Sequence, residues 1–120
     1  MPFDPERYAA GLRRENERER ETIALEASRA REEAARIATQ IGSADSNVRS
    51  VYLFGSLASG EPRSRDFDID LAIEGGDVFA AEEVAEAASF PVDVVALDRV
   101  PKATRERILA SGRRLYSRSS

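Results

Sequence analysis

Two aspartates, Asp68 and Asp70, are separated by a single residue in the run FDID. Apolar and acidic residues alternate across Phe67–Ile73, which predicts a strand on which side chains two positions apart project from the same face. Carboxylates that lie so close repel one another unless a cation neutralises them, and an all-oxygen site suits Mg²⁺ or Mn²⁺. The alternative is a row of acidic side chains on a solvated strand face, which is the commoner meaning of this pattern in isolation.

A third carboxylate, Asp93, interrupts the otherwise apolar run PVDVVAL. Packing on both faces of a sheet favours continuous hydrophobic residues, so an acidic residue at this position requires a reason. If this strand pairs with the Phe67–Ile73 strand, Asp93 lies on the same face as Asp68 and Asp70 and completes a three-carboxylate metal site. A position that simply faces solvent is the competing interpretation.

The dipeptide Gly55-Ser56 follows the apolar run VYLF and precedes LASG, a segment able to turn into helix. Glycine lets a backbone approach a ligand closely, and a serine at a helix start offers its hydroxyl and adjacent N–H groups to phosphate oxygens. A plain strand-to-helix turn with Ser56 as the N-cap explains the same residues.

The elements that must position these residues begin with one long helix. From about Asp4 to Ile41 the chain is dense in Ala, Glu, Arg and Leu, with Gly42 where a helix commonly ends. We predict a partner-binding extension in residues 1–22, which are strongly charged, and a catalytic domain in residues 23–120. An apolar stripe in the second half of the helix favours packing on the domain over a coiled coil, because polar residues take the upstream stripe positions. The stripe consists of Ile23, Ala27, Ala30, Ala34, Ile37 and Ile41.

Strands and helices alternate in the remainder of the chain, which predicts a small α/β (α+β) domain with one mixed sheet behind the long N-terminal helix. The predicted strands are Val48–Phe54, Phe67–Ile73 and Pro91–Leu97, and the predicted helices are Val78–Ala88 and Lys102–Ser111, followed by a short tail around Leu115-Tyr116.

Composition excludes several classes of chemistry. The chain has 120 residues with neither cysteine nor histidine, so any acid–base or metal chemistry must use carboxylates. A net charge of −4 argues against nucleic acid as the main partner. With no secretory signal and no apolar run long enough to cross a bilayer, we expect a cytoplasmic protein without a membrane partner.

The ordered set of motifs resembles the nucleotidyltransferase superfamily typified by DNA polymerase beta. That set is an apolar strand, Gly-Ser, eleven intervening residues, Asp-Ile-Asp and then a lone Asp in a later strand. Within the superfamily, the segment LFGSLASGEPRSRDFDIDLAI is most similar to the minimal nucleotidyltransferases, the antitoxin partners of HEPN-domain toxins.

The resemblance implies a role for each motif. Gly55 and Ser56 would hold nucleotide phosphates, Asp68 and Asp70 would bind Mg²⁺ or Mn²⁺, and Asp93 would be a third ligand or the base for the attacking hydroxyl. The implied reaction transfers a nucleotide, AMP from ATP, to a hydroxyl on a HEPN-type toxin. The alternative is a catalytically weak or inactive antitoxin of the same fold that neutralises its toxin by binding alone.

Two departures from the family pattern concern positive charge. Members commonly carry arginine just after Gly-Ser, where this chain has Leu57 and Ser59, and the loop before Asp68 is one residue longer than usual. Arg63 and Arg65 lie in that loop, and we assign nucleotide binding to Arg65, with a solvated loop residue as the alternative.

Overall fold

The computed structural model describes residues 4–60 and 62–119 of the chain. No helix in this part of the chain is long and apolar enough to cross a membrane. The elements in order are α1 (Pro5–Ala44), β1 (Ser50–Phe54), β2 (Ile69–Glu74), α2 (Val78–Ala85), β3 (Val92–Ala96), α3 (Lys102–Ser111) and β4 (Arg113–Ser117).

Helix α1 confirms the prediction of one long N-terminal helix. The Asp4 side chain caps it by accepting hydrogen bonds from the backbone N–H groups of Glu6 and Arg7. The predicted end at Gly42 is wrong, because the helix continues to Ala44. Gly42 is buried beneath the ring of Tyr116, which a Cβ at position 42 would overlap. Glycine therefore serves close packing here rather than helix termination.

The two halves of α1 differ in the way the charge pattern predicts. From Asp4 to Glu21 every residue is exposed except the half-buried Ala10. The apolar stripe from Ile23 to Ile41 is buried, which confirms core packing as its role. The molecule measures 69 × 30 × 22 Å, as expected when half of a 40-residue helix extends beyond the body.

The sheet has the order β3-β2-β1-β4, with β2 and β3 parallel and the other two pairs antiparallel. The predicted mixed sheet is therefore confirmed, but each predicted strand is shorter than expected. Strand β2 begins at Ile69, so Asp68 lies just before it rather than within it. Strand β4 was predicted only as a tail, because its sequence RRLYS is mostly polar, and an edge strand tolerates such residues.

The register divides the residues of β1, β2 and β3 between two faces. The packed face contains Val51, Leu53, Ile69, Leu71, Ile73 and Val94, and it meets α1 and α2 in the main core. The acidic face contains Tyr52, Phe54, Asp70, Ala72, Asp93 and Val95. Only a small cluster around Ala72, Leu97 and Ile108 lies on the acidic face, where α3 packs. The packed face is thus closed by two helices and the acidic face is covered at one end by a short one.

Candidate active site

Asp70 and Asp93 are direct partners in the parallel register of β2 and β3. The strand pairing that the sequence analysis inferred is therefore present, and the two carboxylates share the acidic face. Asp70 is half-buried at the centre of the sheet, and Asp93 is exposed on the edge strand. Two carboxylates from separate strands consequently meet at one point of the surface.

Asp68 is exposed and lies two residues before Asp70 in the irregular segment that leads into β2. The next residue, Ile69, donates its backbone N–H to the Pro91 carbonyl at 2.9 Å, which fixes the entry to the strand. Asp68 is thereby held near the other two carboxylates without belonging to the hydrogen-bonded sheet.

The electrostatics of the site centre on Asp70. Burial raises the pKa of the Asp70 carboxyl, and the negative charges of Asp93 and Asp68 raise it further. A nearby cation would stabilise the ionised form of such a carboxyl group, which its neighbours disfavour. The acidic face therefore carries a local excess of negative charge that a metal ion or a basic ligand would relieve.

Among the described residues, no three acidic, histidine or cysteine side chains converge closely enough to hold a metal ion by themselves. Mg²⁺ ordinarily keeps several waters and binds one or two carboxylates together with the phosphates of its substrate. The donor chemistry at Asp68, Asp70 and Asp93 is all oxygen and suits such an ion. This open arrangement fits a metal that binds together with a phosphate ligand better than one enclosed by protein alone.

Gly55 brings the end of β1 against this carboxylate pair. Its φ is +78°, in the left-handed region that favours glycine. A Cβ at this position would overlap the Oδ2 atom of Asp70. Both the positive φ and the closeness of Asp70 therefore favour glycine at position 55.

A hydrogen-bonded turn at Ser56–Ala58 follows Gly55. The Gly55 carbonyl accepts hydrogen bonds from the backbone N–H groups of Ala58 and Ser59, at 3.1 and 3.2 Å. Within the described residues, the N–H groups of Ser56 and Leu57 donate to no protein acceptor. The turn therefore presents two N–H donors at its start, in an arrangement suited to an anionic oxygen.

The two positions that depart from the family pattern have structural roles. Leu57 is fully buried in the core, and Ser59 donates its hydroxyl to the Gly55 carbonyl at 3.2 Å. Arg63 and Arg65 are exposed in the following loop, and the Arg65 carbonyl accepts from the Phe67 N–H at 3.0 Å. The loop thus leaves both arginine side chains at the surface, with no contact that tests the role assigned to Arg65.

Two clefts border Phe54. One, of about 730 Å³, extends from Asp70 and Asp93 around the β3 edge to α2, and the other, of about 320 Å³, lies between Gly55 and helix α3. Arg107 borders the second cleft and was missed by the sequence analysis. A signal for it existed, because the α3 residues that line this cleft recur with helical spacing. They are Thr104, Arg107, Ile108 and Ser111.

Comparisons with solved structures show a shared fold. The chain superposes with a TM-score of 0.59 and 22% identity on a structure described as a mutant MntA-HpeT toxin-antitoxin, covering 72% of this chain and 74% of that one. It matches the tri-AMPylated Shewanella oneidensis HEPN toxin in complex with MNT antitoxin with a TM-score of 0.55 and 21% identity, over 74% and 73% of the two chains. A putative nucleotidyltransferase from Sulfolobus solfataricus gives 0.53 and 21%, over 79% and 87%.

At the level of sequence, no curated protein matches this chain significantly. The family model described as "Polymerase beta, Nucleotidyltransferase" matches residues 37–120, which include every strand, the Gly-Ser turn and the three aspartates. This match covers well over half of the chain and agrees with the resemblance read from the motifs. The chain therefore belongs to the polymerase beta nucleotidyltransferase family.

Proposed function

We propose that this protein is a metal-dependent nucleotidyltransferase that moves AMP from ATP to a hydroxyl on a HEPN-type toxin, and that it acts as the antitoxin of that toxin. Membership of the family supplies the class of reaction. Solved structures of the same fold include an AMPylated HEPN toxin with its MNT antitoxin and a toxin-antitoxin with AMP-PNP. These support the choice of nucleotide and of partner.

The observation that carries the proposal is the position of Asp70. It pairs with Asp93 across the sheet, it follows Asp68 by two residues, and Gly55 approaches its carboxylate. A metal–nucleotide complex needs carboxylates for the cation and N–H donors for the phosphates within one small region. The end of β1 and the start of β2 bring both kinds of group together.

In the proposed reaction, the acceptor hydroxyl oxygen forms a bond to the α-phosphorus of ATP while the bond from that phosphorus to the bridging oxygen breaks. Pyrophosphate leaves, and the hydroxyl proton passes to Asp93 or, if Asp93 serves as the third ligand, to solvent water. Asp68 and Asp70 would hold Mg²⁺, which when bound neutralises charge on the phosphates. The N–H groups of Ser56 and Leu57 orient the phosphates, and Arg65 contributes positive charge from the loop.

The charged half of α1 is proposed as the partner-binding extension, comprising residues 1–22, of which residues 4–22 are described. Five arginines and five glutamates along residues 5–22 balance to zero net charge. Two large apolar side chains, Tyr8 and Leu12, are 59% and 43% exposed on this segment. Mixed charges around a few apolar anchors suit an interface with another protein.

A second candidate function is an antitoxin that neutralises its partner by binding alone. The observation that favours it is the burial of Leu57, at a position where members of the family commonly carry an arginine that can meet phosphate. Under this hypothesis the extension on α1 would remain essential and the three aspartates would not.

The two candidates are separated by a transfer assay. The protein is incubated with ATP labelled at the α-phosphate, Mg²⁺ and the HEPN-type protein encoded by the neighbouring gene, and label on that protein is followed. We expect the wild-type chain and Asp66→Asn to transfer label and Asp70→Asn to fail. Asp66 is a suitable control because it is exposed in the same loop. Absence of label with the wild-type chain, or unchanged labelling by Asp70→Asn, would contradict the enzymatic proposal.

A further inference from the structure

One side chain of α1 reaches the loop that follows the Gly-Ser turn. Arg31 donates from Nε to the Leu57 carbonyl at 2.8 Å and from Nη2 to the Gly60 carbonyl at 2.7 Å. These carbonyls are 26 and 29 residues away in sequence. A single guanidinium therefore joins α1 to both ends of the segment 57–60.

Contacts within the segment and with the preceding turn also hold it. Its first two residues, Leu57 and Ala58, are buried, and Ser59 donates its backbone N–H and its hydroxyl to the Gly55 carbonyl. The planar guanidinium has donors in a fixed fork, so two simultaneous bonds set the separation and direction of the two carbonyls. A lysine at position 31 offers a single ammonium group and does not impose the same geometry.

The loop continues along α1 beyond Gly60. Arg20, Ile23 and Ala24 on the helix border a shallow groove with Pro62 and Arg63 of the loop. Ile23 is only 5% exposed. The helix thus borders both the turn after β1 and the longer loop that precedes Asp68, and Arg31 donates hydrogen bonds to Leu57 and Gly60 at this border.

We propose that Arg31 is a positioning residue for nucleotide binding. It keeps the turn after Gly55 in the shape in which Gly55 lies against Asp70 and the N–H groups of Ser56 and Leu57 stay available to phosphate. The inference rests on the proposed function, because it assigns to Arg31 the support of the same phosphate site. Arg31 acts through the backbone and touches no substrate.

The test compares Arg31→Met with Arg29→Met, Arg31→Lys and the wild-type chain. Arg29 is an exposed arginine on the same helix, so its substitution controls for the loss of one charge. Affinity for Mg·ATP is measured by calorimetry, and hydrogen exchange is measured at the amides of Ala58 and Ser59. We expect Arg31→Met to weaken Mg·ATP binding about tenfold, equivalent to about 1.4 kcal/mol, and to accelerate exchange at these amides. Arg29→Met should change neither, and Arg31→Lys should recover only part of the affinity.

Two results would overturn the positioning role. One is wild-type affinity for Mg·ATP in Arg31→Met, and the other is a loss of affinity accompanied by faster exchange throughout the chain, which indicates general destabilisation. If the wild-type chain itself binds no Mg·ATP, the proposed function fails and the role of Arg31 fails with it. That outcome is distinguishable because it appears before any variant is compared.

Discussion

The two faces of one short sheet differ sharply although they are built from the same strands. Leu71 is fully buried on the packed face, whereas its neighbour Asp70 is half-buried beside another carboxylate on the acidic face. The packed face is covered by α1 and α2, and the acidic face is covered in part by α3. Alternation along a strand therefore separates residues that stabilise the fold from residues available for chemistry.

This separation has an energetic consequence. Burial of apolar side chains on one face supplies stability, while burial of Asp70 near two like charges opposes it. Substitutions at adjacent positions should consequently affect different properties. Substitutions on the acidic face should change activity, and substitutions on the packed face should change the free energy of unfolding.

The largest effect is expected for Asp70→Asn. This substitution removes the central carboxylate, and we expect AMP transfer to fall by at least about 100-fold. Because burial and the neighbouring charges raise the pKa of Asp70, its ionised form destabilises the fold at neutral pH. The free energy of unfolding should therefore stay the same or increase. Transfer kinetics and urea unfolding at pH 7 measure the two quantities, and a clear loss of stability would contradict the division between faces.

Leu71, the residue after Asp70, is expected to affect stability far more than activity. Leu71→Ala leaves a cavity in the main core, so the free energy of unfolding should fall by about 2–5 kcal/mol. Transfer activity of the protein that remains folded should change much less than in Asp70→Asn. Urea unfolding with activity normalised to the folded fraction tests this. A stability loss below about 1 kcal/mol would show that the packed face is not the main core.

Gly55→Ala is expected to lower both transfer activity, by less than Asp70→Asn does, and stability, by less than Leu71→Ala does. The positive φ should cost about 1–2 kcal/mol, and the added methyl group would displace the Asp70 carboxylate. Gly75→Ala is the matched control, since Gly75 has a φ of +79° and follows the end of β2 that lies away from Asp70. Both variants should lose stability in thermal unfolding, but only Gly55→Ala should also lose transfer activity in excess of its unfolded fraction. Equal activity in the two variants would remove the role given to the contact with Asp70.

The smallest effect is expected for Asp45, a carboxylate outside the sheet whose contribution to stability depends on pH. Asp45 accepts backbone hydrogen bonds from Asp77 at 2.9 Å and from Asn47 at 3.0 Å. These bonds, with the charge of Arg118, lower the pKa of Asp45 from its ordinary 3.8. The stability it contributes is present above that ordinary value and is lost as pH falls through the lower value of the folded state.

Asp45→Asn should accordingly reduce the melting temperature slightly at pH 5 to 7, and the difference from the wild-type chain should shrink at pH values below about 3. Thermal unfolding across that range is the measurement. A difference that grows toward acid pH would mean that Asp45 is not stabilised in its ionised form.

Much of this arrangement follows from local sequence patterns. The spacing of Asp68 and Asp70, the apolar stripe of α1 and the Gly-Ser dipeptide each depend on periodicity or backbone geometry, which neighbouring residues determine. The pairing of Asp93 with Asp70 was predicted as a condition on strand order and is present. The predicted start of the second strand at Phe67 was two residues early, because the observed start at Ile69 depends on its bond to Pro91, a distant partner.

Tertiary contacts account for what the patterns did not predict. The helix runs past Gly42 because Tyr116 packs on it, and β4 forms because β1 offers a free edge. The bonds from Arg31 to Leu57 and Gly60 join segments that no local pattern connects. These features require knowledge of which segments meet, and a single sequence does not contain that information in a local form.

The central claim is that the acidic face binds a metal–nucleotide complex, and calorimetric titration with Mg·ATP tests it most directly. The wild-type chain and Asp66→Asn should bind equally, binding should require Mg²⁺, and Asp70→Asn should bind at least about tenfold more weakly. Equal affinity in all three proteins, or binding that persists after Mg²⁺ is removed with a chelator, would contradict the account.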